Sequence, residues 1–183
     1  MILGITGPVC SGADTLGKIL EEKGFVWISF SDILREELNK RGEEVTRDSL
    51  QKIGNELREK YGSGVLSERI IERVNKDKGK NYVVGNMRNP GEVERFRKVK
   101  DFFLIKIDAP QKLRFQRMLE RKREKDPRTF SDFLELEKQE NGKNQKEHGL
   151  HHFRVFDMAD FVIINDSTLE ELRKRIDSLC GIR

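Results

Sequence analysis

The segment that most constrains the fold of this chain is its beginning, Met1 to Thr15. Residues 2–6 form an apolar run, Gly7 and Gly12 bracket a turn, and a helical pattern follows. Two glycines separated by four residues, after a strand and before a helix, are the layout of a P-loop, whose backbone N–H groups and helix N-terminus bind phosphate groups. The segment therefore predicts a nucleotide or phosphate site.

The side chains of this loop depart from the usual pattern G-x-x-x-x-G-K-[ST]. Ala13 stands where the lysine that reaches the β- and γ-phosphates is expected. Asp14 takes the usual Ser/Thr position, where it either holds Mg²⁺, directly or through water, or stabilises the first helical turn. Thr15 can donate its hydroxyl to a phosphate. The predicted nucleotide-binding residues of the loop are Gly7, Cys10, Ser11, Gly12, Ala13, Asp14 and Thr15.

Short apolar runs alternate with helical patterns along the whole chain. The predicted strands are Met1–Thr6, Val26–Phe30, Tyr82–Val84, Phe102–Ile107 and Phe161–Ile164. The predicted helices cover about 12–23, 31–41, 46–60, 64–76, 90–98, 110–124, 129–140 and 167–180, with Thr46 and Ser167 as N-caps. The pattern predicts an α/β fold of three layers, a parallel five-stranded sheet with helices on both faces. The polar stretch 141–149 is predicted to be a mobile loop.

Composition sets limits on the class of protein. A chain of 183 residues with 36% hydrophobic residues is long enough for one globular domain, residues 1–183. The net charge of +4 comes with basic clusters, but no recognition motif favours nucleic acid as the partner. Cys10 and Cys180 lack disulfide spacing, and no signal peptide or membrane-length apolar run is present, so the sequence predicts a cytoplasmic protein without a membrane partner.

Several segments together resemble the P-loop nucleotide kinases, particularly dephospho-CoA kinases and deoxynucleoside monophosphate kinases. The resemblance rests on the loop with its Asp-Thr ending, on Phe30–Arg35, on Asp108–Pro110, and on Ala159–Asp166. It runs over nearly the whole chain, and three arginines, Arg114, Arg117 and Arg121, extend it. It implies a P-loop NTPase fold with an acceptor-binding helical region at about 31–76 and a lid with a mobile loop at about 112–150.

The resemblance also implies roles for residues on the acceptor side. Asp32 would orient or deprotonate the acceptor, unless it is only the N-cap of a helix beginning near Ile33. Arg35 would bind the acceptor's phosphate, unless it forms only an exposed ion pair with Asp32. Further acceptor-binding candidates are Arg47, Arg58 and Arg88. Arg88 follows the third strand, where ligands sit in open α/β folds, while solvated helix positions are the alternative for the other two.

The same resemblance implies roles on the ATP side. Arg117 and Arg121 are four residues apart and would close over the triphosphate from one helix face. Asn165 would contact the purine edge of ATP, unless it only ends the last strand. The predicted catalytic residues are thus Asp32, Arg88, Arg117 and Arg121.

Two departures from the kinase pattern leave two hypotheses for the function. Ala13 removes a cation, and Gly85-Asn86 stands where relatives often carry an acidic residue. The leading hypothesis is a phosphotransferase that uses ATP and Mg²⁺ on a small-molecule nucleotide substrate, a nucleoside monophosphate or a dephospho-CoA-like acceptor. The alternative is a catalytically inactive nucleotide-binding regulatory protein. The sequence makes no prediction of the oligomeric state.

Three histidines close together, His148, His151 and His152, raise the question of a metal site. No cysteine stands nearby, and Gly149 and the polar run before it argue against the helix that would align them. A solvated loop is therefore the favoured interpretation.

Overall fold

Five parallel strands form one sheet in the part of the chain that the computed structural model describes, residues 1–77, 79–122, 126–140 and 152–180. They are β1 (Ile2–Thr6), β2 (Phe25–Ser29), β3 (Asn81–Gly85), β4 (Phe102–Asp108) and β5 (Phe161–Ile164). Their spatial order is β2-β3-β1-β4-β5, and each neighbouring pair is parallel. The predicted sheet is confirmed, and no strand end differs from its predicted position by more than one residue.

The helices follow the predicted order with one addition. They are α1 (Ala13–Glu22), α2 (Phe30–Arg41), α3 (Arg47–Tyr61), α4 (Val65–Lys76), α5 (Pro90–Phe96), α6 (Gln111–Glu120), α7 (Phe130–Glu140), α8 (His152–Phe156) and α9 (Leu169–Cys180). Helix α6 ends four residues before its predicted end. The short helix α8 was not predicted, and the loop expected at 141–149 lies outside the described residues.

Two apolar clusters cover the two faces of the sheet, as the three-layer prediction requires. On one face α1 and α9 pack against odd-numbered strand residues such as Leu3, Ile5 and Ile105. On the other face α2, α3, α4, α5 and α8 pack against even-numbered residues such as Val84 and Leu104. Because successive side chains of a strand point to opposite faces, strands buried on both sides are apolar throughout.

Polar side chains set the helix starts. Thr46 accepts a bond from the backbone N–H of Ser49, as predicted for an N-cap. The prediction of Ser167 as a cap is wrong, because the hydroxyl that accepts from the first turn of α9 belongs to Thr168. Helix α2 begins at Phe30, one residue before its predicted start, and its N-cap is Ser29; the alternative in which Asp32 is the N-cap of a helix beginning near Ile33 is therefore wrong.

Candidate functional site

The loop between β1 and α1 lies at the carboxyl edge of the sheet. It turns tightly, with the Ser11 N–H donating to the Pro8 carbonyl at 3.1 Å, and with positive φ angles at Cys10 (60°) and Gly12 (108°). Gly12 is the N-cap of α1 and bears no side chain, so no side-chain bond occupies the first-turn amides. Those amides carry the positive end of the helix dipole and suit an anion.

Both predicted loop glycines are required by close packing. A Cβ on Gly7 would lie 2.2 Å from the Ile107 carbonyl oxygen, and one on Gly12 would lie 2.3 Å from Nδ2 of Asn165. Gly12 additionally has a backbone conformation that L side chains rarely adopt. The two glycines therefore let the loop lie directly against the end of β4 and the residue after β5.

Asn165 joins the loop to the far end of the chain. Its Nδ2 donates to the Ser11 carbonyl at 2.7 Å, and its backbone N–H donates to the Asp108 carbonyl at 2.6 Å. Its Oδ1 accepts a long bond of 3.4 Å from Arg117. Asn165 is only 7% exposed. Its bond to the Ser11 carbonyl positions the loop, and the residue also borders the neighbouring cavity.

A cavity of about 170 Å³ opens beside the loop. It is lined by Gly12, Thr15, Arg117, Asn165 and Ser167, together with two leucines of α9. Two buried polar atoms have no hydrogen-bond partner: Nη1 of Arg117, a residue of the cavity lining, and Oγ of Ser11 in the loop itself. Buried polar groups are normally bonded, so these atoms point to a polar ligand at the loop and the cavity.

The predicted lid arginines bond to different partners. Arg117 donates through Nη2 to the Asn165 carbonyl at 3.0 Å, and it therefore borders the cavity. Arg121 forms a two-bond pair with Asp126, at 2.5 and 2.8 Å. The residues 123–125 and 141–150 of the predicted lid lie outside the described part of the chain.

Arg114, which the resemblance named without a role, anchors α6 to the loop. Its guanidinium pairs with Glu137 of α7 and donates to the carbonyls of Ala109 at 2.9 Å and Val9 at 3.3 Å. Gln111 donates to the other Glu137 oxygen at 2.6 Å. This buried pair fixes α6 and α7 against the outer wall of the loop.

Asp32 and Arg35 stand where β2 leads into α2. The Asp32 carboxylate accepts from the backbone N–H of Ser29 at 3.2 Å and from its hydroxyl at 2.7 Å, completing a capping box. Arg35 donates to Asp32 at 2.8 Å, and the two side chains are 48% and 45% exposed. The predicted ion pair is thus present, and it stays open to a ligand.

The remaining acceptor-side arginines have different environments. Arg47 opens α3, and its side chain lies outside the described residues. Arg58 is 7% exposed, and it donates at 3.0 Å to Glu92, a carboxylate that is 1% exposed. The alternative of a solvated position is therefore wrong for Arg58. Arg88 follows β3 and is half-buried, next to a loop that the Thr6 hydroxyl fixes through the Met87 carbonyl at 2.8 Å.

His152 is a buried residue of α8, which makes the solvated-loop interpretation wrong at this position; His148 and His151 lie outside the described residues. His152 is only 3% exposed to solvent. Burial, together with the positive charge of Arg88, lowers the pKa of His152 to about 3. It is therefore a neutral imidazole at physiological pH.

The first turn of α1 contains Ala13 and Asp14, the two residues that differ from the usual Lys and Ser/Thr of a P-loop. Ala13 packs against the apolar cluster under α1, whereas Asp14 is exposed.

On the other side of the site the Trp27 ring lies against both Gly17 and Gly85, where a Cβ would come within 2.0 and 2.2 Å of it. The ring therefore fills the place that an acidic side chain at position 85 would need. Sequence reasoning missed this contact, which pairs a lone tryptophan with two distant glycines.

Within the described ranges, no group of three or more His, Cys, Asp or Glu side chains is arranged to hold a metal ion. None of the described helices has both the length and the apolar character that crossing a bilayer requires.

The sequence of this chain is similar to a known domain family and to several archaeal proteins. Residues 3–145 match a family model described as an AAA domain, AAA_18. A UPF0200 protein of Sulfurisphaera tokodaii is 35% identical over 180 residues, covering 97% of this chain and 94% of that protein. UPF0200 protein PH1008 of Pyrococcus horikoshii is 33% identical, covering 98% of this chain and 95% of that protein.

Solved structures with lower identity share the fold. Protein TT1252 from Thermus thermophilus is 19% identical with a TM-score of 0.58, covering 100% of this chain and 98% of its own. Shikimate kinase from Aquifex aeolicus is 17% identical with a TM-score of 0.54, covering 99% and 97%. The fold is thus an α/β P-loop NTPase fold that resembles the fold of shikimate kinase. The match along nearly its whole length shows that this chain belongs to the UPF0200 family, and residues 3–145 belong to the AAA domain family AAA_18.

Proposed function

We propose that this chain binds ATP at the carboxyl edge of its sheet, with the phosphates on the loop between β1 and α1. The observation that carries this proposal is the uncapped first turn of α1 beside a cavity with unpartnered polar atoms. Leu169 and Leu172 give that cavity an apolar wall, and Asn165 and Arg117 give it polar atoms. Such a mixture suits a purine base.

The reaction that suits this site best is transfer of the γ-phosphoryl group to a small phosphorylated acceptor, a nucleoside monophosphate or a dephospho-CoA-like molecule. An acceptor oxygen bonds to the γ-phosphorus, the β–γ bridge bond breaks, and ADP leaves. Arg88 and Arg35 offer planar cations for the acceptor's phosphate. Asp32 offers a carboxylate that can orient the acceptor or take the proton of a hydroxyl.

The magnesium ion that this chemistry implies fits the residues on one side of the site. Asp14 is an exposed carboxylate in the first turn of α1, and carboxylate oxygen is a ligand that Mg²⁺ prefers. The end of β3 offers no carboxylate, because Trp27 covers Gly85. When bound, the ion neutralises charge on the phosphates; Asp14, with Thr15 beside it, is the residue that would hold it.

The second candidate is a nucleotide-binding regulatory protein without turnover. Ala13 favours it, because phosphoryl transfer depends on positioned cations and the loop has lost one. The engagement of Arg121 with Asp126 and of Arg58 with Glu92 favours it as well. Phosphate binding by either arginine would have to displace a carboxylate that it already pairs with.

A turnover assay separates the two candidates. The protein and an Ala13→Lys variant are incubated with ATP, Mg²⁺ and a panel of nucleoside monophosphates plus dephospho-CoA, and ADP and phosphorylated product are measured. Turnover by the unchanged protein supports the phosphotransferase. Turnover by the lysine variant alone, or ATP binding without turnover by either, supports the regulatory protein. Absence of heat with excess ATP in calorimetry rejects both.

A further inference from the structure

The charge of the loop is the reverse of what a phosphate site normally has. Among residues 7–15 the one side chain with a full charge at neutral pH is the Asp14 carboxylate. Asp14 is exposed in the first turn of α1, so it lies at the same helix end as the amides that would contact phosphate oxygens. Helix amides attract an anion there, while a carboxylate at the same end repels it.

Nearby cations do not supply what the loop lacks. Arg114 touches the loop through the Val9 carbonyl, but its charge is already paired with buried Glu137. Lys18 follows Asp14 by four residues on α1, about one turn further along the helix from the N-terminal end. Arg117 can offer its unpartnered nitrogen to a ligand in the cavity, but its bonds to Asn165 place it in the cavity wall and not in the loop.

The opposite wall of the site is closed to a second carboxylate. The Trp27 ring lies between Gly17 and Gly85, so that any side chain at position 85 would collide with it. Aromatic atoms offer no oxygen ligand to a hard cation. Asp14 is therefore the one carboxylate that the described residues of this loop and of the adjoining β3 end present to a metal.

We propose that nucleotide binding by this chain requires a divalent cation, which Asp14 recruits in place of the missing loop lysine. This inference rests on the proposed nucleotide site. The lysine of an ordinary loop attracts phosphate whether or not a metal ion is present. In this loop the Asp14 carboxylate repels the phosphates, unless a cation lies between them and bridges the two. The dissociation constant for ATP is accordingly at least about tenfold larger in EDTA than in Mg²⁺.

The test is a titration of ATP in excess Mg²⁺ and again in EDTA, by calorimetry or by fluorescence of the single tryptophan. Asp14→Asn removes the charge at nearly constant shape, and it should reduce the difference between the two conditions to within about threefold, because metal-free ATP binds more tightly and Mg–ATP more weakly. Ala13→Lys should tighten metal-free binding, because it restores a fixed cation.

The matched control is Glu21→Gln, which removes an exposed negative charge near the other end of α1, about 10 Å along the helix from Asp14. It should keep the dependence of the unchanged protein on Mg²⁺. Equal affinity in Mg²⁺ and EDTA, or an Asp14→Asn variant that keeps the full difference, overturns the inference and leaves the nucleotide site intact. Absence of ATP binding in both conditions overturns the nucleotide site itself.

Discussion

Replacing Arg58 should destabilise the fold far more than a typical surface arginine does. Its Nη2 donates at 3.0 Å to Glu92, whose other oxygen accepts from the backbone N–H groups of Arg88 and Asn89 at 3.0 and 3.1 Å. Arg58→Ala leaves this carboxylate, in a residue 1% exposed, with two amide bonds and no counter-charge. Removing one partner of a buried ion pair costs about 3–5 kcal/mol of unfolding free energy.

The measurement is urea-induced unfolding at neutral pH, followed by circular dichroism, with a matched arginine as the control. Arg73 pairs with Glu36 at 2.9 Å, a similar distance, but both side chains are about half exposed. Arg73→Ala should therefore cost less than about 1 kcal/mol. The double change Arg58→Leu with Glu92→Gln should recover part of the loss, because no unpaired charge stays buried.

The result that would refute this reasoning is an Arg58→Ala protein as stable as the Arg73→Ala protein. If such a protein had lost only its affinity for a phosphorylated acceptor, Arg58 would be a ligand-binding residue, as the sequence resemblance implied. A large loss of stability with the m-value unchanged identifies the residue as a structural link between α3 and α5.

Three further outcomes are expected. Gly12→Ala should abolish ATP binding while the far-UV spectrum is kept, because its Cβ would lie 2.3 Å from Asn165; Gly24→Ala, also at positive φ but with no atom within 4 Å, should keep ATP binding. Asn165→Ala should leave the Ser11 carbonyl without its 2.7 Å bond, costing about 1–3 kcal/mol in urea unfolding and weakening ATP binding in calorimetry. Burial lowers the pKa of His152 from 6.5 to about 3, so between these pH values the unfolded state binds one proton more than the folded state. The free energy of unfolding therefore decreases as the pH is lowered through this range, by up to about 1.4 kcal/mol per pH unit. His152→Leu should reduce this pH dependence, measured by urea unfolding at pH 4 to 7.

The strand pattern of this chain could be predicted because its physical cause is local. Strands covered on both faces are continuously apolar, and the run at residues 2–6, which is buried throughout, stands out before the glycine turn. The loop glycines could be predicted for a similar reason, since the steric demands of a tight turn fall on particular positions. Local pattern does not fix every helix start: Ser167 and Thr168 are neighbours that can both cap a helix, and in the fold the hydroxyl that accepts from the first turn of α9 is that of Thr168.

The roles of the arginines could not be predicted from local pattern. Arg58 and Arg35 both lie on polar helices, and what separates them is a partner: Glu92 lies 34 residues from Arg58, whereas Asp32 is one turn from Arg35. The contact of Trp27 with Gly17 and Gly85 also joins three separate elements. Such long-range contacts leave no periodic signal in the sequence, so burial can be assigned only once the sheet order is known.

The bond between Ser11 and Asn165 joins residues that are 154 positions apart. During synthesis the glycine motif leaves the ribosome early, but the amide that anchors it appears only when most of the chain has been made. A fragment that ends before Asn165 would carry the complete motif with its loop unanchored. Nucleotide affinity should therefore arise late in translation, which makes it a measure of finished folding.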